Sequence, residues 1–74
     1  MKTLEQAQKA KERIEAQILA TPGVTGIDAG YHPGSESGTP AIRVYVADKK
    51  KAGALPAEVD GIPVIVIERK FELH

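Results

Sequence analysis

Near the start of the chain, apolar residues recur at three- and four-residue spacings: Leu4, Ala7, Ile14 and Ile18, with Leu19 beside them. That period marks one buried helical stripe and predicts a helix over residues 3–20. Thr3 followed by Gln6 fits a capping box, and Thr21-Pro22-Gly23 supplies the stop, because proline cannot continue the hydrogen-bond ladder and glycine permits the turn. Lys11 interrupts the stripe. The half from Ile14 to Leu19 is therefore expected to dock on the rest of the domain, with the N-terminal turns held by weaker contacts or by a partner.

The period then changes from helical to alternating. Residues 24–31 place Thr25, Ile27, Ala29 and Tyr31 on one face and Val24, Gly26, Asp28 and Gly30 on the other, which predicts a first strand. Its glycine-bearing face is bare, and this predicts close approach of another backbone, or a bulge. Residues 41–47 predict a second strand with Ile42, Val44 and Val46 on one side and Arg43 and Tyr45 on the other. Between them His-Pro-Gly-Ser-Glu-Ser-Gly-Thr-Pro predicts a mobile hairpin loop. Residues 48–61 open with charge and close on an Asp-Gly turn, leaving room for at most a short helix or an irregular crossover. Residues 62–73 predict a third strand, with Ile62, Val64 and Val66 pointing one way and Ile65 and Ile67 the other. Pro63 has no backbone donor, so it belongs at the beginning of that strand or on an outer edge.

These elements give one small α+β domain over residues 1–74. Its expected architecture is an N-terminal helix packed on a three-stranded, mainly antiparallel sheet, in the order helix, strand, strand, short crossover, strand. The same order is that of a ferredoxin-like domain without its first strand, which would leave a gap for a partner chain. A chain of 74 residues buries only about 60% of the surface its unfolded form exposes, so its stability from one core is marginal. One helix cannot cover both apolar sides of the third strand, and this predicts a second covering layer: another copy, another protein or the C-terminal segment folded back.

Composition removes several function classes. There are no cysteines, which excludes disulfides, thiolate metal sites and cysteine catalysis. Ten basic residues balance ten acidic ones, against the basic excess of a nucleic-acid binder. No apolar run approaches the roughly 20 residues that span a bilayer, and the charged N-terminus lacks a signal-peptide core. The expectation is a soluble, unprocessed cytoplasmic protein with no cofactor, no nucleic-acid partner and no membrane partner.

Two sets of residues carry candidate chemistry. Asp28, His32 and Glu36 stand four residues apart in or beside the hairpin loop, and their oxygen and nitrogen donors offer the alternative of a small-ligand or divalent-metal site, although a closed zinc site normally needs four ligands. Ser35, Ser37 and Thr39 add hydroxyls nearby, but all lie in one glycine-rich loop without a rigid scaffold, so no enzyme is expected. Lys49, Lys50 and Lys51 suit an anion site or, more simply, a solubilising edge. The second set is an association surface: Arg43 and Tyr45, types enriched in binding hot spots, with Val64, Ile65, Val66 and Ile67 forming the core and any sheet-layer interface. The leading expectation is a non-enzymatic protein-association module, most economically a homodimer.

The segments Ala-Ile-Arg-Val-Tyr-Val-Ala-Asp-Lys-Lys and Leu-Pro-Ala-Glu-Val-Asp-Gly-Ile-Pro-Val-Ile-Val-Ile-Glu follow a helix ending in a Pro-Gly-Val turn and a glycine-rich strand. In this the chain resembles an uncharacterised small bacterial module also found at the N-terminus of some trypsin-like serine peptidases. The resemblance covers about residues 14–69 and is most specific over 55–68. It implies a non-catalytic accessory or interaction module, including a peptidase-associated chaperone or inhibitor-like role, and supplies no active-site residue. It also implies that Pro56, Asp60, Gly61 and Pro63 aim the third strand.

Overall fold

The computed structural model describes residues 3–32, 38–50 and 52–69. Helix α1 (Leu4–Leu19) is followed by strands β1 (Val24–Tyr31), β2 (Pro40–Val46), β3 (Glu58–Val59) and β4 (Ile62–Glu68). The helix begins with the expected capping box: the Thr3 hydroxyl accepts from the Gln6 backbone N–H at 3.2 Å, and the Gln6 side chain accepts from the Thr3 backbone N–H at 2.8 Å. This satisfies two donors that the first helical turn leaves free.

The fold is α+β, but its sheet is four-stranded and mixed rather than three-stranded and mainly antiparallel. The order is β1-β2-β4-β3, with β1 antiparallel to β2, β2 parallel to β4 and β3 antiparallel to β4. The cause lies at Asp60 and Gly61, both in the left-handed region with φ of 52° and 78°. Positive φ at both central residues is the requirement of a two-residue type I′ hairpin, and Asp-Gly satisfies it cheaply. The chain therefore reverses between β3 and β4, not between β2 and β4. Residues 47–61 are long enough for the crossover that a parallel pair requires. Because β4 pairs directly with β2, the ferredoxin-like gap does not exist. Pro63 lies at the start of β4, before its pairing with β2 begins at Val64.

One face of the sheet carries the core. Ile42, Val44 and Val46 of β2 are buried with Ile62 and Val64 of β4 and Ala7, Ala10 and Ile18 of α1. Burying a Val or Ile side chain contributes about 1.5–3 kcal/mol, so these few residues dominate the stability of the chain. Ala52 and Leu55 of the crossover, with Val59 of β3, pack against the same cluster. The crossover is tied down by the Gly53 N–H, which donates to the Pro22 carbonyl at 2.9 Å, and an ion pair joins Arg13 on the helix to Asp60 in the hairpin turn.

The half from Ile14 to Leu19 docks as expected, through Ile14 and Ile18, and the N-terminal half docks as well. Ala7 and Ala10 are buried while Leu19 is 46% exposed, so the N-terminal half packs closely. Alanine at both positions lets the helix backbone approach the sheet. Lys11 stands beside the stripe, paired with Glu15 at 3.5 Å. In β1 the register shifts between Val24 and Gly26, and this bulge turns Val24 toward the core while Thr25 is exposed. Strict alternation places these two residues on the opposite faces. The predicted third strand ends at Glu68, and its residues 70–73 lie outside those described.

Candidate functional site

On the second face of the sheet the strand register brings together Gly26, Asp28 and Gly30 of β1, Ala41, Arg43 and Tyr45 of β2, and Ile65 and Ile67 of β4. Among the described residues no helix or strand lies over this face, although Gly30 and Ala41 at its hairpin end are buried. At its centre Asp28 stands directly across from Arg43. Arg43 Nε donates to Asp28 Oδ1 at 2.7 Å and Arg43 Nη2 donates to Oδ2 at 2.9 Å. The Tyr45 hydroxyl donates to the same Oδ2 at 3.0 Å, and the Arg69 guanidinium lies over the Tyr45 ring, 4.7 Å from its centroid. A bidentate fork of this kind fixes both side chains in one plane. Their side chains are 31% and 41% exposed, so solvent screens the pair and its main effect is geometric.

The bare glycine face of β1 has its explanation here. A Cβ at Gly30 would lie 2.6 Å from both Cζ and Nη2 of Arg43, and one at Gly26 would lie 3.7 Å from the Tyr45 ring. Side chains of β2, rather than another backbone, lie across the glycines. Gly30→Ala should therefore push the guanidinium off Asp28. Carboxyl-resolved NMR titration checks this: the Asp28 pKa is expected to return upward toward the ordinary carboxylate range, and an unchanged titration would refute the contact.

The Asp28 carboxyl is held below the usual carboxylate range. Burial by itself pushes it up, but the hydrogen bonds from Arg43 and Tyr45 and the positive charges of Arg43 and Arg69 outweigh burial. The bond to Asp28 in turn raises the Arg43 pKa against the opposing effect of burial. A carboxylate held low contributes stability that is fully present above its unfolded pKa of about 4 and is lost as the pH falls through the lower folded value. The stability difference between the unmodified chain and Asp28→Asn, measured by urea unfolding, should stay constant above about pH 5 and shrink as the pH falls below about 4. A difference that widens in acid contradicts the assignment.

The metal candidates are arranged otherwise than their spacing suggested. Both oxygens of Asp28 already accept from Arg43 and Tyr45, so a cation there would have to displace an arginine. His32 follows β1, with its backbone N–H donating to the Thr39 carbonyl at 2.7 Å, and Glu36 lies outside the described residues. No group of three or more His, Cys, Asp or Glu side chains suited to a metal occurs among the described residues.

The expected association residues divide between two faces. Val64 and Val66 join the covered face, where they meet the core, whereas Ile65 and Ile67 share the open face with Arg43 and Tyr45. Both isoleucines are half-buried and lie outside the core cluster. Arg69, also a member of this site, falls just beyond β4 and so carries no strand-period signal in the sequence. The Asp28–Arg43 pair had a readable signal: once Tyr31 is paired with Pro40 across the hairpin, counting back along both strands sets the two charges opposite each other. No helix among the described residues is long and apolar enough to cross a membrane. The chain matches no family model, no curated protein and no solved structure.

Proposed function

We propose that the chain is a non-enzymatic, cytoplasmic protein-association module that works through the open face of its sheet, and that the partner is a second copy of itself. The observation that carries this reading is the pair Ile65 and Ile67, set beside a preformed Asp28–Arg43–Tyr45 cluster on a face that no described element covers. Tyrosine and arginine are the types that concentrate binding energy at interfaces. The hydrogen bonds already fix their side chains, so docking them sacrifices little further side-chain freedom. A formal net charge of zero removes long-range repulsion between copies. Two such faces can stack as aligned sheets about 10 Å apart, with the helices outside and the isoleucines of one β4 over those of the other.

Sedimentation equilibrium over a range of concentrations tests the reading. The apparent mass should rise with concentration above the 7.9 kDa of one chain. A mass fixed at one chain throughout would remove self-association.

A further inference from the structure

The two edges of the sheet are not equivalent. On one side β3 is only two residues long and runs straight into the Asp60–Gly61 turn, so little backbone is presented there. On the other side β1 spans eight residues, Val24–Tyr31, and past the bulge at its start residues 26–31 run in regular register, with no lysine and no proline in the strand. Among the described residues it pairs with β2 alone. Long edge strands without such blocking residues are templates for pairing with another chain. Tyr31, one of two large apolar residues exposed among those described, stands on this strand at 52% exposure.

From these features we infer that β1 is a second association surface, at which two copies of the chain pair antiparallel and join their sheets edge to edge about a two-fold axis through Ala29. Self-complementarity selects this register. With the axis at Ala29, Tyr31 of each copy lies opposite Ile27 of the other, an aromatic–β-branched cross-strand pair on the helix-bearing face. Asp28 of each copy then lies opposite Gly30 of the other. That glycine is the one across which Arg43 extends its guanidinium. Arg43 donates to its own Asp28 through Nε and Nη2, which leaves Nη1 directed to neither of those bonds. Each Arg43 is thus placed between the Asp28 of its own chain and that of the partner copy. The register with Asp28 on the axis would instead set two carboxylates face to face, a destabilising arrangement.

The inference rests on the same reading of the chain as one that associates with itself, but on a different surface, and the two are separable by experiment. Amide hydrogen exchange on the unmodified chain, at low and high concentration, reads the edge directly. Outward amides of β1 should exchange roughly tenfold more slowly, or less, at high concentration, because edge pairing supplies them with acceptors. Exchange along β1 that does not depend on concentration overturns the inference. The register is read with Ala29→Cys, which introduces the sole cysteine of the chain. Opposed cross-strand residues bring their Cβ atoms within about 4.5–5.5 Å, close to the span of a disulfide, so mild oxidation should yield a covalent dimer that Ala54→Cys in the crossover does not give. Protection of β1 without the Ala29 cross-link overturns the register. Lysines at Ile65 and Ile67 should leave the β1 protection in place, so a failed open-face reading stays distinguishable from a failed edge.

Discussion

Ile42→Ala is expected to cost about 2–5 kcal/mol of folding stability. Ile42 is fully buried at the middle of the sheet, with Ala29 of β1 on one side and Val64 of β4 on the other. Truncating it removes apolar contacts on both sides and leaves a cavity, because strands hydrogen-bonded to β2 cannot collapse inward to fill the space. For 74 residues the whole stability is on the order of 4–11 kcal/mol, so this single change should bring the chain close to unfolding at room temperature. Urea denaturation gives the measurement, with Ile65→Ala as the comparison. Ile65 lies one residue along the same strand from Val64 but on the open face, and its truncation should cost much less. Equal losses at the two positions would mean that the covered and open faces have been assigned wrongly.

The second large effect concerns association rather than folding. Ile65→Lys combined with Ile67→Lys should abolish open-face association while the helix and sheet persist. Both residues are half-buried and outside the core cluster, so lysine stems can lie along the face with their charged ends in water. In an assembled pair of faces the same ammonium groups would be buried without partners, and like charges would confront each other across the axis. The open-face affinity should fall at least about tenfold, read as loss of the contacts that the Tyr45 ring makes between copies in a sample mixing isotope-labelled and unlabelled chain, since association through β1 still raises the mass in sedimentation. Circular dichroism and urea unfolding of the variant report whether the fold is intact. A folded variant with undiminished open-face contacts would remove the isoleucines from the interface.

Much of the architecture is legible in the residue pattern, and the exceptions have physical causes. The capping box at Thr3 and Gln6 is legible because both partners sit in one local motif. The parity of Ile62, Val64 and Val66 against Ile65 and Ile67 survives because a period of two leaves no freedom once the strand forms. The parallel pairing of β2 with β4 is not legible, because it depends on where a long irregular connection crosses the sheet. The two residues of β3 carry no periodic signal, although the Asp-Gly turn that creates their hairpin is plain in the sequence. Ala7 and Ala10 look like a thin face until the sheet comes close enough to bury them.

The site divides in the same way. Arg43, Tyr45, Ile65 and Ile67 share a face by simple alternation, so their grouping is readable from the strands. The function of Asp28 is not readable from its distance to His32 along the chain, because the decisive neighbour is Arg43 on the next strand. Gly30 belongs with that pair for the same reason. Its lack of a side chain is what makes room for the guanidinium.

The claim that the open sheet face mates with a second copy is tested most directly by intermolecular NMR contacts in a sample mixing isotope-labelled and unlabelled chain. The expected result is a set of contacts between copies from the methyl groups of Ile65 and Ile67 and the ring of Tyr45, strengthening with concentration, with Ile18 on the buried side of the helix making none. Intermolecular contacts confined to β1, or none at concentrations where the chain is folded, would contradict it.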